Sequence, residues 1–130
     1  NACGKAIDLG KISGDKGSDT KTANGETSAW YRITVEETSA SPILNSISAT
    51  VTLQSPAGMN YDVAVYDACA GSVLGSSSNG SGQQDLVNFN WKDSFGPTDT
   101  RDVWIEVKYK TGSKCDDAAR WTLTITGNTD

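Results

Sequence analysis

Three aromatic side chains, Trp30, Tyr66 and Trp104, are out of step with the apolar residues of the strands that contain them. Trp30, for example, alternates with Tyr31 and Ile33 in a stretch of β-branched and aromatic residues. Successive side chains of a strand point to opposite faces, so each of the three rings is predicted to point away from the core. Indole and phenol rings on a wet face stack well on the C–H face of a pyranose ring. The pattern therefore predicts a carbohydrate-binding surface.

Four polar side chains share the outward phase of their strands and are candidates to bind sugar hydroxyl groups: Arg32, Asn88, Asn90 and Glu106. Guanidinium groups donate hydrogen bonds, carboxylates accept them, and amides do both. Packing is the alternative interpretation for each outward ring, because the loop at 16–28 or at 93–102 can fold over it. Four other aromatic residues fall on the apolar phase and are predicted to pack in the core or at strand ends: Tyr61, Trp91, Tyr109 and Trp121.

Acidic loops are candidates for a calcium site, because calcium is bound by carboxylate and carbonyl oxygens. The glycine-spaced loop GDKGSD at 14–19 contains Asp15 and Asp19, and Glu26 follows after a short interval. A second group of carboxylates converges only if its loops meet at one end of the domain: Asp99, Asp102, Asp116 and Asp117. Solvated surface charge is the alternative interpretation of both groups. No cofactor is required by the sequence, and calcium is the candidate ion.

Composition argues against several classes of function. The chain has 130 residues, a formal net charge of −5 and no histidine. Nucleic-acid binding requires a basic stripe that is absent here, and no apolar run approaches the ~20 residues of a membrane span. Without histidine, the usual general base and the Ser-His-Asp arrangement are missing. We therefore expect a soluble, monomeric domain that is not an enzyme and binds neither nucleic acid nor membranes.

The three cysteines, Cys3, Cys69 and Cys115, do not have the spacing of a zinc site. Their odd number leaves one cysteine without a partner inside the chain. We favour a disulfide between Cys69, which follows a predicted strand, and Cys115, which lies in the loop before the last strand. The pairs Cys3–Cys69 and Cys3–Cys115 stay open, as do three reduced thiols.

Short alternating segments rich in β-branched and aromatic residues predict strands along almost the whole chain. They lie at 7–12, 30–36, 47–53, 61–67, 73–74, 85–91, 103–109 and 121–126, and the polar segment 16–28 is predicted to be a long loop. No segment shows the spacing of an amphipathic helix. Seven or eight antiparallel strands in a single domain over 1–130 predict an all-β sandwich of jelly-roll or Greek-key type.

Several of these segments together resemble a known family. They are IDLGKISGD at 7–15, AWYRITV at 29–35, NYDVAVYD at 60–67, VLGS at 73–76, VWIEV at 103–107 and WTLTI at 121–125. In this order they are similar to the strands of the bacterial pre-peptidase C-terminal domain. Ile33 replaces a phenylalanine of the family pattern, segment 38–45 is an insertion, and the family does not require the cysteines.

The resemblance implies a non-catalytic accessory domain of a secreted bacterial protein. Such β-sandwiches are appended to exported proteases and glycoside hydrolases; some similar modules bind collagen and calcium, and others bind carbohydrate or are removed on maturation. The chain begins at Asn1 without an initiator methionine or signal peptide, so we expect a mature product or a domain of a larger secreted protein. The predicted function is polysaccharide or oligosaccharide binding. The alternative is an accessory domain that binds protein, or acts as a spacer or maturation segment, with calcium as a candidate ion.

Overall fold

The alternating segments of the sequence form β-strands in the computed structural model, which describes residues 2–39, 45–94, 96 and 98–130. Nine strands occur among these residues: β1 (Ile7–Ser13), β2 (Thr20–Gly25), β3 (Ala29–Glu36), β4 (Ser46–Gln54), β5 (Asn60–Tyr66), β6 (Val73–Ser77), β7 (Gln84–Lys92), β8 (Arg101–Thr111) and β9 (Trp121–Gly127). Two short 3-10 turns, Cys3–Lys5 and Asp116–Ala119, are the helical elements of the described chain. Most of the predicted insertion at 38–45 lies outside the described residues.

Two sheets pack face to face. One has five strands in the order β1-β3-β8-β5-β6, and the other has four in the order β2-β9-β4-β7. The predicted all-β sandwich is confirmed. The expectation that all strands are antiparallel is wrong at one edge, where β1 runs parallel to β3. The chain passes through β2 in the opposite sheet between these two strands, and such a crossover connection is what parallel neighbours require.

β2 occupies part of the segment that the sequence analysis predicted to be a loop. It pairs antiparallel with β9, from Thr20 opposite Thr126 to Gly25 opposite Trp121. The strand is polar and glycine-containing because it is an edge strand with one exposed side. At Gly25 a Cβ atom would lie 2.6 Å from the Trp121 ring, so this close approach requires glycine. Backbone pairing with β9, rather than local propensity, makes this segment a strand.

The core between the sheets contains the inward residues of both. Trp121 and Tyr61 are 0% exposed and Trp91 is 8% exposed, which confirms the core prediction for these rings. The polar atoms of two of these rings have hydrogen-bond partners. The Trp121 Nε1–H donates to the carbonyl oxygen of Thr27 at 2.9 Å, and the Tyr61 hydroxyl donates to the carbonyl oxygen of Ala119 at 3.0 Å. Tyr109 packs edge-on against Tyr61 with ring centroids 5.9 Å apart, although it is 44% exposed at the end of its strand.

The disulfide joins Cys3 to Cys69, with Cα atoms 5.3 Å apart. Cys115 is an exposed free thiol, so the favoured Cys69–Cys115 pair is wrong and one of the open alternatives forms instead. The reason is the direction of two neighbouring strands. Cys69 follows the C-terminal end of β5 and Cys115 follows that of β8, and these strands are antiparallel. The two cysteines therefore lie at opposite ends of the sheet.

Removing this disulfide should destabilise the domain strongly. The cross-link has a sequence separation of 66 residues, for which the chain-entropy relation gives about 4 kcal/mol of stabilisation. We expect Cys3→Ala to lower the free energy of unfolding in urea by about this amount. Cys115→Ala is the matched control and should change it by no more than about 0.5 kcal/mol. Equal urea midpoints for wild type and Cys3→Ala would contradict the assignment.

Candidate functional site

The outward face of the five-stranded sheet brings the three out-of-phase rings together. β8 lies between β3 and β5, and its Trp104 is directly opposite Arg32 on β3 and Tyr66 on β5. Two residues further along β8, Glu106 is opposite Trp30. We call these five residues the aromatic face. Five of the seven predicted ligand-binding residues are therefore neighbours in two adjacent rows.

Two of the rings touch each other across the central strand. The ring centroids of Trp30 and Tyr66 are 5.4 Å apart with an interplanar angle of 35°. The Tyr66 hydroxyl donates a hydrogen bond to Glu106 Oε2 at 3.0 Å. Burial, together with this carboxylate, raises the pKa of Tyr66. Trp30, Tyr66 and Trp104 are each half-buried, so part of each ring stays accessible to a ligand.

Arg32 is anchored beside Trp104 by carboxylates. Its guanidinium is hydrogen-bonded and ion-paired to Asp8 on β1, and Nη1 lies 3.8 Å from Asp102 Oδ2. The hydrogen bond to Asp8 raises the pKa of Arg32, while the backbone N–H of Gly10 and then Arg32 itself lower the pKa of Asp8. An open hollow of about 340 Å³ adjoins this pair and is lined by Cys3, Gly4, Ala6, Arg32, Cys69 and Trp104. The disulfide thus forms one wall of the surface next to the indole.

A second hollow lies on the other side of Tyr66. It has a volume of about 190 Å³ and lies above Ala64, the small residue between Tyr66 and Asp62 on the outward face of β5. Lys108 on β8 and Ser76 on β6 also line it. We call this hollow the Ala64 groove. The rings therefore stand between two depressions lined by charged and polar groups, an arrangement suited to an extended polar ligand with apolar ring faces.

Asn88 and Asn90 do not belong to this surface. Both are exposed on β7 in the four-stranded sheet, where they lie opposite Thr50 and Ser48. Asn88 Oδ1 accepts a hydrogen bond from the Thr50 hydroxyl at 2.6 Å. Their outward phase was predicted correctly, but they point to the opposite side of the sandwich from Trp104.

The first predicted calcium group is not brought together. Asp19 precedes β2 and Glu26 follows it, and a strand of this length separates them by about 20 Å. Asp15 instead binds the segment that follows β3, where its carboxylate accepts hydrogen bonds from the backbone N–H groups of Thr38 and Ser39 at 3.0 and 2.9 Å. The geometry therefore excludes one ion shared by Asp15, Asp19 and Glu26.

The second predicted group is divided as well. Asp99 and Asp102 lie at the start of β8, whereas Asp116 and Asp117 follow its far end. A different cluster occurs near the start of β8, where single carboxylate oxygens of Glu37, Asp93 and Asp99 lie within 4.8 Å of one another. Burial and the neighbouring Glu37 raise the pKa of Asp93, and hydrogen bonds from Ser94 lower that of Asp99. We assign no ion to this cluster, and calcium binding stays a prediction.

Sequence reasoning missed the polar residues of the Ala64 groove, above all Asp62 and Lys110. Lys110 Nζ lies 3.4 Å from Asp62 Oδ2, and both residues share the outward phase of Tyr66 and Trp104. That phase is visible in the sequence. What local alternation does not reveal is that β5 and β8 are neighbours.

The comparisons with known proteins add no relative: no protein-family model matches the chain, and no curated protein matches it. Across the part of the chain that the structure describes, no helix has the length and apolar character needed to cross a membrane.

The role of Asp15 as an acceptor for two backbone N–H groups is testable. Burial opposes its ionisation, but the hydrogen bonds from Thr38 and Ser39 outweigh it and lower the pKa of Asp15. A lowered folded-state pKa stabilises the domain above the unfolded pKa of about 4, and this stabilisation is lost as the pH falls through the folded-state value. We expect Asp15→Asn to reduce the melting temperature at neutral pH. The asparagine NH2 group would then face one of the two backbone N–H groups, and two donors cannot form a hydrogen bond with each other. The difference from wild type should shrink in acid, and a gap independent of pH would contradict this role.

Proposed function

We propose that the domain is a non-catalytic carbohydrate-binding module of a secreted bacterial protein, and that the aromatic face is its binding surface. One observation carries the proposal: Trp30, Tyr66 and Trp104 occupy adjacent positions on one face of one sheet, with two of the rings in contact. Rings needed only to pack under loops would not have to be neighbours.

The chemistry of the surface suits a saccharide. A pyranose ring has an apolar C–H face, which stacks on an indole or phenol, and a rim of hydroxyl groups, which need donors and acceptors. Arg32 and Glu106 provide these groups within the same two rows as the rings. Each is already positioned, Arg32 by Asp8 and Asp102 and Glu106 by the Tyr66 hydroxyl. Such pre-organisation lowers the entropy that binding must overcome.

Secretion is supported by the Cys3–Cys69 disulfide, because disulfides persist mainly in oxidising compartments. The sandwich architecture also agrees with the resemblance to pre-peptidase C-terminal domains, which implies an accessory role. An accessory domain needs no catalytic group of its own.

The second candidate is a pre-peptidase-type accessory domain that binds protein. It is favoured by the edge strand β6, where Val73 is 56% and Leu74 is 36% exposed beside Tyr66. A sheet edge with exposed apolar residues is a surface to which an extended peptide can add. This candidate predicts binding that depends on Val73 and Leu74 rather than on the indoles.

Substitution of the indoles tests the first candidate. We expect Trp30→Ala and Trp104→Ala each to weaken polysaccharide binding about tenfold or more, the effect of losing a central aromatic contact. Binding is measured by affinity electrophoresis against soluble glucans, xylans and mannans, and by the change in tryptophan fluorescence. Asn88→Ala and Asn90→Ala are the controls, because these side chains lie on the opposite face and should not alter binding.

The outcomes separate the two candidates. Failure of wild-type protein to bind any glycan of a broad panel overturns the carbohydrate proposal. Binding to a collagen-like peptide that is lost in Val73→Ser and retained in Trp30→Ala would support the protein-binding candidate instead.

A further inference from the structure

The Ala64 groove has the shape of a subsite for one ring of a ligand that also covers the aromatic face. Its floor is low because Ala64 lies opposite Glu106 on β8 and Ser76 on β6, where a longer side chain would fill the space. Tyr66 forms one wall. Its volume of about 190 Å³ is below the ~300 Å³ of the smallest drug-sized pockets. The groove therefore fits part of a ligand whose remainder lies outside it.

One wall of the groove presents an acceptor without a donor. Asp62 Oδ2 pairs with the ammonium of Lys110, but Asp62 Oδ1 is buried and has no hydrogen-bond partner among the described residues. A buried carboxylate oxygen without a donor costs free energy. Because this oxygen is closed to solvent in the structure, a hydroxyl group that enters the groove would supply that donor after a small rotation of the Asp62 side chain.

A donor without an acceptor lies directly across from it. Lys108 is opposite Asp62 in the β5–β8 pairing, so their Cβ atoms are about 5 Å apart. Its side chain is exposed, and no ion pair or hydrogen bond joins it to another residue in the described part of the chain. Asp62 is occupied by Lys110 instead, which leaves the Lys108 ammonium free for a ligand.

The groove is balanced in charge, with two carboxylates and two ammonium groups among its lining residues: Asp62, Glu106, Lys108 and Lys110. An anionic sugar would gain one ammonium but would face Asp62 and Glu106. A cationic amino sugar would gain a carboxylate but would face the ammonium groups of Lys108 and Lys110. A neutral ring with hydroxyl groups on adjacent carbons satisfies both unpaired groups, since one hydroxyl donates to the carboxylate and its neighbour accepts from the ammonium.

We propose that the Ala64 groove is a subsite for a neutral sugar and binds two adjacent hydroxyl groups between Asp62 and Lys108. This inference rests on the proposed carbohydrate-binding function and adds the ligand class: a neutral polysaccharide, with one ring in the groove and another on the aromatic face.

The test is isothermal titration of the intact domain with a neutral set of hexasaccharides (of glucose, xylose and mannose), with hexagalacturonate and with a chitosan hexamer. We expect at least one neutral hexasaccharide to bind, with less than a twofold change in Kd between about 0.05 and about 0.5 M salt, because screening weakens charge–charge contacts. Ala64→Leu should weaken this binding about tenfold or more by filling the groove. Asn90→Leu, which places the same leucine side chain on the opposite outer face, is the matched control.

Lys108→Met is a second variant at an exposed position, for use if Ala64→Leu fails to fold. It should weaken binding about tenfold, the effect of losing a hydrogen bond from a charged donor, whereas Lys92→Met on β7 should not. If Ala64→Leu or Lys108→Met binds normally while Trp30→Ala does not bind, the groove subsite is overturned. The proposal that the aromatic face binds the ligand would still stand. Binding of hexagalacturonate or the chitosan hexamer alone would overturn the neutral-ligand assignment. Binding of no saccharide by wild type would overturn both proposals.

Discussion

The register of β3, β8 and β5 is the constraint on which the candidate site depends. β8 is hydrogen-bonded on both sides, and the core packs against the inward residues of all three strands: Ile33, Ile105 and Val65 are 0% exposed. A slip of one residue in either pairing would turn every side chain of the slipped strand to the other face. The apolar interior therefore holds the register, and the register in turn places the outward rings. The geometry of the aromatic face is a consequence of core packing on the other side of the same sheet.

Alternation in the sequence was enough to predict the face on which each aromatic ring lies. Tyr61, Trp91 and Trp121 are core residues as expected, and Trp30 and Trp104 point outward. The same reasoning was correct about the phase of Asn88 and Asn90 and wrong about their neighbours, because the phase is a local property whereas the sheet to which a strand belongs is not. β7 pairs with β4 in the second sheet, and nothing in the residues around Asn88 encodes that choice.

Two further errors have the same physical origin. β2 is polar and has weak strand propensity, and it is a strand because β9 provides hydrogen-bond partners for its backbone. The choice of disulfide depends on the antiparallel pairing of β5 and β8, which places Cys69 far from Cys115. Cys69 therefore forms its disulfide with Cys3. In each case the outcome was decided by contacts between segments far apart in the chain. Local patterns predict elements, and long-range pairing decides which elements become neighbours.

The two outer faces of the sandwich differ in their aromatic content. Both faces belong to the same sandwich and meet the same structural demands. The outer face of the four-stranded sheet has one exposed leucine, Leu86 of β7. Across β2, β9 and β4 its rows consist of threonines: Thr20, Thr22, Thr50, Thr52, Thr124 and Thr126. β-branched polar residues of this kind suit an exposed pleated surface. On the corresponding outward face, the central strands of the five-stranded sheet have indoles, a phenol and paired charges. Since the described strands of one outer face have no aromatic ring on it, the architecture alone does not require the rings of the other face, and the proposed saccharide ligand would give them a role.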